Sequence, residues 1–360
     1  MNSINNKVIL FCFIIYFILL VRIFDLLLYI KNRYENISQL NSNYFIKNKN
    51  FDNDTNTKLD SYNIINQYIQ KQVDFCKFPN KYYEKKFESQ IKKVNFRLNN
   101  LSYKFYIYKN NDIISKFITV GGSFEAACLN NILKALQFYK KINNIYYNKD
   151  IYILDIGGNI GIYPSFLGRY GYSILSFEPS PINYYISKKN YCNMNNKSNV
   201  ILINEGLSTE EKKCNYYLNI GNKGNGILLC NNFINKKVKS KFVKAGSVTL
   251  TRLSSFIPYL SDKKLALIKI DIEGGEEKAL KSGIELINKY HVPFILMEFT
   301  PIYLKEHGTD PINFLNLFIN NGYKITINGF FNKIYLSIER IMNITKTQIN
   351  LYIVHNSVLK

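Results

Sequence analysis

Tryptophan is absent from the 360 residues, and histidine occurs only three times, at His291, His307 and His355. So few imidazoles exclude a histidine-built zinc centre, and no metal ligand set is expected. The six cysteines (Cys12, Cys76, Cys128, Cys192, Cys214 and Cys230) contain no C-x-x-C pair and no metal-ligand spacing. Cys12 lies in an apolar run, so the other five do not form a fully paired framework. They read as small buried hydrophobes, with one isolated bridge left open. Acidic residues are scarce as well: 26 against 47 basic ones, a formal charge of +21. Such a balance usually points to nucleic acid or an anionic surface. Here the lysines are scattered, and Asn, Lys, Ile, Tyr and Phe are inflated together, as an AT-rich coding sequence would make them. The charge therefore reads as a solvated face.

What the chain does have begins with an uninterrupted apolar run over residues 8–21, which resumes at 26–30 after Arg22 and Asp25. One helix over 8–30 would be roughly 35 Å long, enough to span a bilayer. No small-residue cleavage site follows, so the run is expected to be an uncleaved anchor, placing the protein as single-pass in an endomembrane or secretory membrane. Residues 31–96 are polar and Asn-rich and read as a stem, with some helix near 62–73. The expected organisation is an anchor at 1–30, a stem at 31–96 and a catalytic domain at 97–360.

From Asp150 on, apolar strands and helical patterns alternate in the rhythm of parallel βαβ units. The expected strands are 151–156, 172–177, 200–204, 265–270, 293–299, 323–327 and 351–354. The expected helices cover 181–193, 275–286 and 311–320, and an irregular insertion lies between the third and fourth strands. The first strand ends in Asp155-Ile-Gly157-Gly-Asn159-Ile-Gly161. A strand that turns through glycines into a helix brings bare backbone and free N–H groups to a ligand. Glu178, closing the neighbouring strand about 20 residues on, stands where a carboxylate can accept both ribose hydroxyls. G-x-G-x-x-G would need glycine at Asn159 and Ile162 and fails, and no G-x-x-x-x-G-K-[ST] occurs, so dinucleotide and P-loop readings are set aside.

The runs LDIGGNIGIYPSFL, SFEPSP, ILINEGLS, VTLTRLSSF, LIKIDIEGGEEKALKSG and ILMEF resemble, in order, the motifs of FkbM-type methyltransferases. KFYIYKNNDIISKFITVGGSFE is similar to that family's lead-in, with Glu125 at its usual acidic position. The resemblance covers roughly residues 101–354. It implies a doubly wound, mostly parallel seven-stranded Rossmann-like methyltransferase sheet that uses S-adenosylmethionine. By the same resemblance Asp155, Gly157, Asn159 and Gly161 would surround the methionine part, Glu178 the ribose, and Asn204 and Glu205 the adenine. Two departures are noted: Gly158 replaces the usual alanine, and Glu205 stands where a small residue is common.

Asp271, Glu273 and Glu298 are carboxylates at the C-terminal ends of adjacent expected strands, the edge where such sheets bind ligands. Asp271 is assigned to positioning, and Glu273 or Glu298 to acceptor contact or proton removal. Glu276 reads as first-turn helix stabilisation, and His307 as an ordinary loop histidine near the mouth. The expected reaction is O-methylation of a glycan, glycolipid or other small acceptor. Two rivals are a nucleic-acid methyltransferase and a membrane scaffold that kept the fold. The first lacks an Asp/Asn-Pro-Pro-aromatic run or a Pro-Cys nucleophile, and the second should show a spoiled glycine turn.

Overall fold

The structure, a computed structural model, describes residues 53–78, 81–194, 199–230 and 241–359. The chain divides into two units, Met1–Thr57 and Lys58–Lys360. The second holds thirteen described strands: β1 Ile91–Leu98, β2 Leu101–Tyr108, β3 Ile151–Ile156, β4 Ser173–Phe177, β5 Val200–Ile203, β6 Glu205–Leu207, β7 Lys212–Asn219, β8 Gly226–Leu229, β9 Phe242–Thr251, β10 Lys264–Ile270, β11 Phe294–Phe299, β12 Tyr323–Thr326 and β13 Ile349–His355.

Seven of them form one sheet in the order β12-β13-β11-β10-β3-β4-β5. Neighbours from β11 to β5 are parallel, while β13 runs antiparallel to both β11 and β12. The chain winds outward from β3 to β5, then crosses back and winds the other way through β10 and β11. The switch point of such a sheet, here between β3 and β10, leaves a crevice at the C-terminal ends of the strands.

Both faces of the sheet are covered, which is why its strands read as continuous apolar runs rather than as alternation. Ile151 and Ile153 of β3 belong to one core and Leu154 and Ile156 to the other. Because side chains alternate along a strand, Asp155, Lys269 and Glu298 fall on the face of Ile153, Leu267 and Leu296. Helix Ala126–Ile142 packs on that face through Leu129, Ile132, Leu133 and Leu136.

The insertion between β5 and β10 folds as a second sheet, β6-β9-β7-β8. Cys214 and Cys230 are joined in a disulfide across its β7–β8 hairpin, and Cys76 and Cys192 form another between helices Asn53–Lys77 and Pro181–Cys192. The expectation of unpaired, merely buried cysteines is thus corrected. Spacing along the chain, 116 and 16 residues, carries no sign of which pairs meet in space. Cys128 is free and buried.

Residues 58–78 and 84–96, the described part of the stretch 31–96 expected as a stem, pack with the sheet domain. Ile65, Phe75, Phe87 and Phe96 are core residues. Gln72, 1% exposed, lies along the edge of β5; its amide donates to the Val200 carbonyl at 2.8 Å and accepts from Leu202 N–H at 2.9 Å. At the far edge Leu336 N–H donates to the Ile325 carbonyl of β12 at 2.9 Å. The helix expected at 275–286 is two short ones, Glu276–Lys281 and Glu285–Asn288. They are parted at Gly283, where a Cβ would stand 2.8 Å from Leu253.

The single-pass membrane placement is also corrected. Among the described residues no helix is long and apolar enough to cross a membrane, and the 8–30 run behind that expectation lies outside them.

Candidate active site

The turn after β3 is drawn tightly against its neighbours. Gly157 N–H and Gly158 N–H both donate to the Phe177 carbonyl, at 3.0 and 2.9 Å. Gly157 has φ +88°, and a Cβ there would lie 1.9 Å from the Asp271 carbonyl oxygen. Gly161, φ +85°, opens helix Ile162–Arg169 with Ser187 so near that a Cβ would meet its Oγ at 2.4 Å. Close packing of backbone therefore requires glycine at both positions.

Glu178 closes the same corner. Its carboxylate accepts from Asn159 N–H at 2.8 Å and Ser180 N–H at 2.7 Å. Burial raises its pKa to about 7, although the Ser180 and Asn159 hydrogen bonds pull the other way. Asn204 lies beside it but is turned to the backbone, donating to the Glu178 and Pro179 carbonyls at 2.8 and 3.1 Å. The Glu205 carboxylate accepts from the Tyr68 hydroxyl of the N-terminal helix. Of the residues expected around the cofactor, Asp155, Gly157, Asn159, Gly161, Glu178 and Asn204 share this corner, while Glu205 is held by Tyr68.

Across the switch point, carboxylate oxygens of Asp271, Glu273 and Glu298 lie within 4.8 Å of one another. Such a spacing could suit a cation, but a lysine already serves the cluster. Lys269, 5% exposed, stands near the C-terminal end of β10. Its ammonium donates to the Gly157 carbonyl at 2.8 Å and stands 3.4 Å from Asp271 and 3.9 Å from Asp155. Burial alone would lower its pKa, but Asp271, Asp155, Glu125 and Glu298 together raise it. Burial, followed by Asp271, raises Glu273 to about 7; burial, then Asp271 and Glu273, raises Glu298 to about 9. Such crowding of like charge is how neighbouring carboxyls come to hold protons near neutrality.

Lys269, Tyr163 and Asn225 escaped the sequence reading. A lone lysine inside the apolar run of β10 was the signal available for the first. Tyr163 donates to Glu125 at 2.6 Å with the Lys269 ammonium 5.2 Å from its ring centroid. The Asn225 amide donates to Glu273 at 2.8 Å. Glu276 does local work, accepting from Ile272 and Gly274 N–H groups at 3.0 and 3.2 Å. His307 packs on Gly274, and burial lowers its pKa.

Whether these residues suit S-adenosylmethionine is answered by Asp155. It is fully buried and its Oδ2 accepts from Ser176 at 2.7 Å, but its Oδ1 has no hydrogen-bond partner. This carboxylate oxygen, without a hydrogen bond and 3.9 Å from the Lys269 ammonium, lies beside the glycine turn and suits a second ammonium group such as the methionine part carries, and Glu178 suits ribose hydroxyls.

The sheet order with its antiparallel penultimate strand, the glycine turn and Glu178 define the fold of an S-adenosylmethionine-dependent methyltransferase. Residues 155–325 match the methyltransferase FkbM domain, consistent with an FkbM-type methyltransferase. No curated protein matches the sequence. Among solved structures, a TehB-like SAM-dependent methyltransferase from Corynebacterium glutamicum is 12% identical with a TM-score of 0.33, covering 67% of this chain and 92% of that one. The METTL16 methyltransferase domain is 13% identical with a TM-score of 0.35, covering 76% and 91%. P. horikoshii TYW2 in complex with MeSAdo is 9% identical with a TM-score of 0.33, covering 72% and 69%. Likeness this distant adds no argument about the activity.

Proposed function

We propose that the protein transfers the methyl group of S-adenosylmethionine to a hydroxyl oxygen of a glycan, glycolipid or other small acceptor. The observation that carries this reading is the gathering of Asp271, Glu273 and Glu298 beside the turn at Gly157. The bound cofactor supplies an electrophilic methyl group on a positively charged sulfur. Asp155, the turn and Glu178 orient it, and holding donor and acceptor in line supplies most of what this displacement needs. The acidic wall favours a cation in the crevice, and a cation there lowers the Glu273 and Glu298 pKa values, readying a carboxylate to accept a proton. With that methyl group supplied in line, Glu273 or Glu298 would take the proton that the acceptor hydroxyl gives up on methylation. Asp271, tied to Lys269, positions the reactants.

Sugar acceptors lose the support that membrane placement would have lent them, so the acceptor class rests on the acids alone. The loop after β10 reads Asp271-Ile-Glu-Gly, which lacks the Pro-Pro-aromatic element of amino-group methylation of nucleic acids. An intact glycine turn with Glu178 speaks against a scaffold without cofactor.

Calorimetry of the full chain with S-adenosylmethionine tests the donor side. Glu178→Gln is expected to weaken binding about 10- to 100-fold, from lost charge-assisted hydrogen bonds of about 1.5–3 kcal/mol. Unchanged binding would remove the assignment. Transfer of radiolabelled methyl to glycan and lipid extracts, with Asp271→Ala as the inactive control, tests the acceptor side. Labelling of RNA alone would replace this reading.

A further inference from the structure

The β7–β8 hairpin lies outside the main sheet, and the reaction as described does not use it. Its turn, residues 220–225, is nevertheless bonded on three sides. Lys223 N–H donates to the Asn111 carbonyl at 2.7 Å, Gly224 N–H to Asp112 Oδ1 at 2.9 Å, and Ile113 N–H to Asn222 Oδ1 at 3.1 Å. These bonds fix the turn to the start of helix Ile113–Gly121. The Gly224 carbonyl accepts from the side-chain amides of Asn159 and Asn183, both at 3.2 Å. Asn159 belongs to the glycine turn, and Asn183 opens the helix after Glu178. The next residue, Asn225, donates from Nδ2 to Glu273 Oε1 at 2.8 Å. One short turn thus touches the cofactor corner and the acid loop together, and the Cys214–Cys230 disulfide closes its stem.

Glu273 needs such a hold. Its φ is +57°, a left-handed conformation that a non-glycine residue keeps only where its surroundings fix it. Glu276 ties the backbone on either side of it, and Asn225 reaches its carboxylate.

We propose that Asn225 is a positioning residue: it aims the Glu273 carboxylate at the acceptor by binding Oε1, leaving Oε2 to take the hydroxyl proton. The β7–β8 turn is the wall that sets the distance between cofactor and acceptor. This inference rests on the reading of Glu273 as the acceptor-side carboxylate.

The test uses the full chain, tritiated S-adenosylmethionine and a total glycan and lipid extract, with Glu273→Gln beside Asn225→Ala, Asn225→Asp and Asn225→Gln. Asn225→Ala should keep its melting temperature and bind S-adenosylmethionine within about 3-fold of wild type, with kcat 10- to 100-fold lower and KM little changed. Asn225→Asp, equal in shape but without the donor, should be as slow or slower, and Asn225→Gln should recover part of the rate. Normal kcat in Asn225→Asp while Glu273→Gln is inactive overturns the inference alone. Normal kcat in Glu273→Gln overturns the reading beneath it as well.

A second measurement needs no acceptor. The groups facing Glu273 are the carboxyls of Asp271, Glu276 and Glu298, the phenols of Tyr216 and Tyr303, and the Lys269 ammonium. Asn225→Ala leaves all of them in place, so the Glu273 carboxyl, followed by carbon NMR, should titrate at higher pH once its donor is gone. An unmoved titration contradicts the proposal.

Discussion

Lys269 stands between the two halves of the site, one nitrogen bonded to the Gly157 carbonyl and paired with Asp271. Replacing it by methionine keeps the length and removes the charge, leaving buried acids uncompensated. Loss of one partner of a buried pair costs about 3–5 kcal/mol, and denaturant unfolding of Lys269→Met should show it. Protonation gives a second expectation. Glu178 and Glu273 are raised to about 7 and Glu298 to about 9, against 4.5 in the unfolded chain. Between pH 5 and 8 the folded form binds these protons more tightly, so their contribution to stability falls as pH rises. The melting temperature of Glu298→Gln, measured without cofactor, should therefore drop less over that range than wild type; an equal or larger drop would refute the shift. At this scale the sequence exposed the acids, because Asp271-x-Glu273 and Glu298 sit at the ends of recognisable strands. It hid Lys269 inside an apolar strand and Asn225 among so many other asparagines. Glu205, expected near the adenine by resemblance, bonds Tyr68, and sequence does not reveal a partner 137 residues away.

Among the elements, the edge strand β5 is completed by a side chain instead of another strand. Gln72 supplies one donor and one acceptor in the places a paired backbone would. Gln72→Ala should strand two buried backbone groups at a cost of about 1–3 kcal/mol each, read as faster hydrogen exchange at Leu202 and a lower melting temperature. A change confined to the helix would contradict that role. The strands of the main sheet were legible because parallel strands buried on both faces are apolar throughout, as in IYILDI and FILMEF. The expected helix at 275–286 kept its residues but lost its continuity to the contact between Gly283 and Leu253, which local periodicity does not encode. The second sheet read as irregular because its hairpin turn, IGNKGN, lacks an alternating pattern.

For the molecule as a whole, the Cys76–Cys192 disulfide closes a loop of more than a hundred residues, a constraint on the unfolded chain worth about 4–5 kcal/mol. Cys76→Ser with Cys192→Ser should lower the unfolding free energy by up to that much, whereas the shorter Cys214–Cys230 loop should matter less, about 3 kcal/mol. Equal effects would show that strain or residual structure dominates the chain-entropy contribution. At this same scale the stem reading did not foresee the packing of residues 58–78. An Asn-rich, polar helix announces nothing of its few inward residues, Ile65, Gln72 and Phe75, on which its docking depends. Both margins of the main sheet are already spoken for, one by Gln72 and the other by Leu336. Two copies therefore meet backbone edges that are already partly bonded. Shortening the protein to residues 97–360 would unzip that hem at β5, and the trimmed chain should scatter light and precipitate where the full-length one stays clear.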